Sequence, residues 1–196
     1  MEVTKIPFNH GSGTLEVEYD GKEHSYSESF WYDESALLPG HKVVVTSYPT
    51  MTKVGSTTNK IIFNIVAVDE NGNEVDMTKV YDHSGDYRNF GKLIVTKKTI
   101  CVTTDSHTWY YDGQAHSCKT EGCAGYTVTS GLLEGHTITI NLTASVTNIP
   151  KKPVENTFNP SKDVVILDEN GNDVTNCYKF EITAGLLNVL FNPDNV

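Results

Sequence analysis

The sequence predicts an all-β protein folded as two tandem antiparallel β-sandwich domains. Three observations carry that expectation. A set of sequence blocks is written twice in the same order, Asn-Gly turns sit between strand-forming runs, and the apolar period is two rather than 3.6.

The duplication is anchored on Asp69-Glu70-Asn71-Gly72-Asn73-Glu74-Val75, which returns as Asp168-Glu169-Asn170-Gly171-Asn172-Asp173-Val174. Asn-Gly between strands is the strongest short hairpin signal, because a type I′ turn needs positive φ at both central positions. Tyr19-Asp20-Gly21 through His24-Ser25 answers Tyr111-Asp112-Gly113 through His116-Ser117 at an offset of 92. Leu37-Leu38 and Gly40-His41 answer Leu132-Leu133 and Gly135-His136 at 95, and Gly91 through Val95 answers Gly185 through Val189 at 94. Offsets that drift by a few residues are the trace of loop insertions. The boundary falls near Thr96-Lys97-Lys98, so the domains are residues 1–97 and 98–196, each of ordinary domain size.

In the first domain, Val3-Thr4-Lys5-Ile6 reads as an opening strand stopped by Pro7 and the Gly11-Ser12-Gly13 loop. Thr14 to Tyr19 alternates apolar and polar and ends at the Asp20-Gly21 turn. A loop over 25–38 follows, with Phe30-Trp31-Tyr32 at its middle and a turn at Ser35-Ala36-Leu37. His41 to Thr46 is a strand, Ile61 to Val68 leads into the Asn-Gly turn, and Leu93-Ile94-Val95 closes the unit. In the second domain, His136 to Val146 alternates for eleven residues, with Ile138, Ile140, Leu142, Ala144 and Val146 on one face. A strand of that kind packs one face on a core and shows the other to water. Short strands with frequent turns and no helical period favour an Ig-like sandwich.

Composition narrows the function classes. With 38% apolar residues each domain builds one modest core. No apolar run reaches 18 residues, so no segment reads as a transmembrane helix. Met1 followed by Glu-Val-Thr-Lys reads as a start placed before a domain boundary, and predicts a piece of something longer. Net charge is −10, and it divides evenly: 9 Lys/Arg against 14 Asp/Glu in residues 1–97, and 6 against 11 in residues 98–196. An evenly acidic surface repels phosphate, so nucleic acid and anionic lipid are excluded as expected partners.

Tyr111-Asp112-Gly113 with His116-Ser117, the stretch Tyr126 to Ile140, the stretch Asp168 to Tyr178, and a terminal Gly-x-Leu-x-Val together resemble tandem repeats of large surface proteins of Gram-positive bacteria, notably gut clostridia. The similarity covers nearly all of residues 99–190 and, more loosely, 3–96. It implies β-rich, Ig-like modules strung between an export signal and a wall anchor, serving as stalks or adhesin modules without catalytic residues. The first copy departs from the pattern after Val75, where 15 residues precede Gly91 against 10 between Val174 and Gly185. An insertion over 76–90 is therefore expected.

Several chemistries compete with a bland reading. The acidic turns suggest calcium, but an EF-hand loop needs Gly sixth and a closing Glu, so a hairpin turn is expected. His24, His41, His116 and His136 recur in both copies beside glycine turns, and packing is favoured over zinc. His10-Gly11-Ser12-Gly13 lacks the strand–turn–helix setting of a hydrolase nucleophile. No catalytic set, cofactor or metal is expected.

All four cysteines, Cys101, Cys118, Cys123 and Cys177, lie in the second domain. Two disulfides are expected of an exported module. Of three pairings, Cys118–Cys123 with Cys101–Cys177 is preferred, worth about 2 and about 4.5 kcal/mol by loop entropy. A zinc knot of His116, Cys118 and Cys123 is the alternative.

The expected function is that of a monomeric, extracellular, adhesin-type binding module for a host glycoprotein, immunoglobulin or glycan. A pure spacer, or an accessory domain of a secreted glycosidase, are the other readings. Candidate binding residues are Phe30, Trp31 and Tyr32. Three consecutive aromatics cannot all face one core, so one or two are expected to plug it and the rest to face outward.

Overall fold

The computed structural model describes residues 4–83, 89–118, 123 and 125–193. The chain is all-β: the described residues form short strands and single-turn 3-10 segments, with no α-helix. No helix among them is long and apolar enough to cross a membrane. By its internal contacts the chain divides into two compact units, Met1–Thr96 and Lys97–Val196.

The first unit contains β1 (Ile6–Pro7), β2 (His10–Gly11), β3 (Leu15–Glu18), β4 (Trp31–Tyr32), β5 (His41–Ser47), β6 (Gly55–Thr58), β7 (Ile62–Val68), β8 (Glu74–Asp76), β9 (Tyr81–Asp82) and β10 (Lys92–Thr96). The second contains β11 (Lys98–Thr104), β12 (His107–Tyr110), β13 (Tyr126–Ser130), β14 (Thr137–Ile140), β15 (Val154–Asn156), β16 (Val164–Leu167), β17 (Tyr178–Thr183) and β18 (Gly185–Leu190). The pairings repeat. β10 lies between β3 and β6 as β18 lies between β12 and β15. β5 pairs with β7 as β14 pairs with β16. The segment Ile6 to Gly11, split into β1 and β2, occupies the place of the continuous β11.

The sheets are mixed, not purely antiparallel as the sequence suggested. β3 runs parallel to β10, β12 to β18, and β11 to β17. Parallel neighbours need a long crossover, and here most of a unit's chain lies between the first strand and the last. The eleven-residue strand is also shorter than its pattern. Only Thr137–Ile140 pairs with β16, although Leu142 and Val146 remain buried. Alternation thus tracks burial beyond the end of the ladder.

The two Asn-Gly turns are alike but not of type I′. Gly72 and Gly171 have φ of 83° and 79°, and among the described residues no non-glycine has positive φ. One left-handed residue, in place of two, is enough because a carboxylate closes the loop. Asp69 Oδ1 accepts from the amides of Asn71 (2.9 Å) and Asn73 (2.8 Å), and Asp168 Oδ1 does the same for Asn170 and Asn172.

The length difference between the copies is split, which corrects the single insertion expected over 76–90. In both units an isoleucine donates its amide to a threonine hydroxyl across the hairpin, Ile65 to Thr78 and Ile166 to Thr175. Counted from these anchors, the first hairpin is two residues longer in each arm, giving β7–β8 three pairs where the second unit has the single bridge Leu167↔Asp173. Three further residues lie between Tyr81 and Gly91 compared with Tyr178 and Gly185. Residues 84–88 of that stretch lie outside the described residues.

Each core is built around the same strands and one buried amide. Phe8, Phe63, Ile65 and Tyr81 pack together in the first unit, and Leu93 and Val95 are buried on β10. Ile100, Ile166, Leu187 and Val189 are fully buried counterparts in the second, with Val102 buried among them. Burying each such side chain contributes roughly 1.5–3 kcal/mol. Asn59 is fully buried, and its Nδ2 reaches Gly13 O (3.1 Å), Tyr26 O (3.0 Å) and Ser29 Oγ (3.1 Å). Asn156 is equally buried, donating to Asp105 O at 2.9 Å and lying 3.3 Å from Cys118 Sγ. Ser12 Oγ donates to the Asn59 carbonyl and Thr104 Oγ1 to that of Asn156.

Candidate functional site

The aromatic triplet is divided by strand alternation. β4 pairs antiparallel with β2, His10 opposite Tyr32 and Gly11 opposite Trp31. Phe30 and Tyr32 turn inward: the Phe30 ring lies 5.2 Å from Phe63, and Tyr32 stacks on Phe8 at 5.7 Å. Trp31 turns outward and is 47% exposed, with its indole over Gly11. A side chain at Gly11 would collide with that ring, since its Cβ would fall 2.6 Å from Trp31 Cζ2. Glycine lets the indole lie flat against the strand. Of the three predicted binding residues, Trp31 alone is presented to solvent on a firm backing.

The opposite face of β2 carries a second feature. His10 is 3% exposed and sits among aromatic rings: Phe63 at 4.9 Å, Phe90 at 5.4 Å, Phe8 at 5.9 Å and His83 at 6.2 Å. Its Nδ1 lies 3.2 Å from Phe8 O. A cavity of about 230 Å³ opens beside it, lined among the described residues by His10, Lys60, Ile61, Phe63, His83 and Phe90, with Ile62 at its edge. Ile61 and Phe63 form apolar walls, whereas Lys60 and His83 are exposed.

The register explains why the cavity is there. Ile6 and Lys98 pair with Tyr81 and Tyr178, so Phe8, His10 and Ser12 take the places of Ile100, Val102 and Thr104. By the same register His83 stands where the second unit has Phe180, and Phe90, just before Gly91, stands where it has Ala184. In the second unit β11 and β17 pair continuously from Lys98↔Tyr178 to Thr103↔Thr183. Among the described residues of the first unit, the pairs on this ladder are Ile6↔Tyr81, Pro7↔Asp82 and Ser12↔Phe90.

The recurring histidines are structural. His24 Nε2 lies 2.8 Å from Asp20 Oδ1, and His116 Nε2 lies 2.9 Å from Asp112 Oδ1. His41 and His136 each hold a buried tyrosine hydroxyl through Nδ1 at 2.8 Å, Tyr81 and Tyr178 respectively. Those hydroxyls also accept from the amides of Leu38 and Leu133. Burial raises the Tyr178 pKa above its usual value, so the phenol stays protonated. The turn carboxylates Asp69 and Asp168 are held below the usual range by hydrogen bonds from Asn73 and Asn172. Among the described residues no group of three or more His, Cys, Asp or Glu is placed to hold a metal.

Cys118 and Cys123 are bridged to each other, which also removes them as zinc ligands. The second expected bridge does not form: Cys101 and Cys177 are free. The register forbids it. Cys101 pairs with Glu181 and Lys98 with Tyr178, so Cys177 lies four residues along the ladder from the position opposite Cys101. At 3.3 Å per residue that is roughly 13 Å, beyond the ~7 Å limit for a disulfide. Cys177 instead occupies a core position where the first unit has Val80.

Sequence reading weighed His10 only within the His10-Gly11-Ser12-Gly13 loop, because Pro7 and the glycines disguised β2, and it did not single out His83, Phe90 or Asn59. The signal was available in the offset of 92, which sets His10 against Val102. No family model matches this chain, and no curated protein matches it either.

Proposed function

We propose that the chain is a pair of Ig-like modules from an exported bacterial surface protein, acting without catalysis to hold a host glycoprotein, immunoglobulin or glycan. The observation that carries this reading is an asymmetry. The two units share one skeleton of strands, buried asparagines and Tyr–His pairs, yet among the described residues it is the first that presents an outward Trp31 on a glycine bed and a cavity lined by His10. Differences concentrated in one of two copies point to a task beyond spacing. The Cys118–Cys123 bridge supports an oxidising, extracellular location, where such bonds persist.

A spacer role fits the second unit better. Its equivalent core positions are filled by Val102, Phe180 and Ala184, and its ladder is unbroken. The division of labour is then a binding unit followed by a supporting one.

The test is binding of the full chain to mucin, immunoglobulin and glycan panels, with Trp31→Ala alongside. An exposed aromatic that anchors a partner loses about 2 kcal/mol or more on truncation, roughly thirty-fold in affinity. The melting temperature should barely move, because Trp31 lies outside the core. Silence of the unmodified chain across all three panels would leave the spacer role for both units.

A further inference from the structure

We propose that the cavity beside His10 is a subsite for a single sugar ring, the terminal residue of a glycan. This deepens the binding reading above and rests on it for biological purpose, but it stands on separate geometry. Two departures from the second unit converge at this one place: Val102 is replaced by His10, and Phe180 is replaced by His83. A core fold needs neither histidine, since the second unit places Val102 and Phe180 at these positions.

Size and chemistry select the occupant. At about 230 Å³ the cavity holds one six-membered ring and falls below the ~300 Å³ at which pockets for drug-sized ligands begin. Ile61, Phe63 and Phe90 offer apolar surface to the C–H faces of a sugar. His83 stands exposed at the lining, and its imidazole nitrogens offer hydrogen bonds to hydroxyls. A purely apolar occupant would take that ring from water and return no hydrogen bond. Behind the cavity, His10 is wedged among Phe8, Phe63 and Phe90, so its ring orientation is set before anything binds.

The experiment follows histidine ring resonances of the full chain by NMR. Methyl glycosides of galactose, glucose, N-acetylglucosamine and N-acetylneuraminic acid are titrated separately, with N-acetyltyrosinamide as the protein-like probe. At least one sugar should move the His10 and His83 signals saturably and leave His116 in place. His10→Val, which installs the residue of the second unit, should weaken that binding about tenfold or more by removing the polar ring from the lining. His83→Phe, which installs the other, should do likewise if His10→Val proves unfolded. Sugars that leave His10 unmoved, sugar binding unchanged in the folded variants, or a response to the tyrosine probe alone would each overturn the proposal. Panel binding that survives both variants would sink the subsite and keep the adhesin reading. Silent panels with a sugar-responsive His10 would do the reverse.

Discussion

At the same position of the same strand, one unit buries His10 and the other Val102. The surrounding skeleton is otherwise shared: a hydroxyl from Ser12 or Thr104 on the asparagine carbonyl, an amide hub at Asn59 or Asn156, and a tyrosine hydroxyl held by a histidine. The comparison separates what the fold requires from what it tolerates. Features present in both copies hold the fold together, while His10, present in one, lines a cavity instead.

Removing the amide hub should have the largest effect and should rank the units. Asn59→Ala leaves two partly buried carbonyls and the Ser29 hydroxyl without their donor and should cost about 3 kcal/mol. Asn156→Ala should cost about 2, because one of its two partners is a sulfur. Each unit holds one tryptophan, Trp31 and Trp109, so denaturation followed by fluorescence in single-tryptophan variants reads them separately. Equal losses would mean the hubs are interchangeable.

Reduction should sharpen the comparison next. Opening the Cys118–Cys123 loop should remove about 2 kcal/mol from the second unit alone. A calorimetric transition that shifts for both units on adding reductant would show that their stabilities are coupled. Smaller again is Tyr81→Phe against Tyr178→Phe. Each deletes the hydroxyl that links a histidine to a leucine amide, at about 1 kcal/mol. The Leu38 amide is 2.9 Å from its oxygen and the Leu133 amide 3.5 Å, so chemical denaturation should show the larger loss in the first unit.

The smallest effect belongs to the acidic turns. Folding holds the Asp69 and Asp168 carboxyls below their ordinary 3.8, so their contribution is present above that pH and fades as pH falls through the depressed values. Asp69→Asn and Asp168→Asn should flatten the acid limb of a melting-temperature profile, equally in both units. An unequal response would mean that the longer first hairpin uses its turn differently.

Much of this was legible in the chain. Duplication, turns and period-two strands named the all-β class, because each is a local pattern that the backbone must obey. The short bridge was legible too, since Cys118 and Cys123 are near neighbours. The site was not. Asn59 and Asn156 sit in Thr-Asn-Lys and Glu-Asn-Thr, which read as loop, and only tertiary packing makes them hubs. His10 was hidden by Pro7 before it and Gly11 after it. The Cys101–Cys177 pairing failed for a related reason: composition counts thiols, whereas strand register decides which can meet.

The parallel pairing of β11 with β17 has a mechanical consequence. In β11 and β17 the chain enters at Lys98 and leaves the ladder at Thr183, at opposite ends of six paired residues. Tension along the chain therefore drags the two strands lengthwise past one another, and the rungs between them resist together instead of parting one by one. Among the described residues the matching β1–β9 ladder of the first unit has two pairs, while β3–β10 and β12–β18 have four each. Under load the first unit should therefore yield sooner, and the second should keep its length.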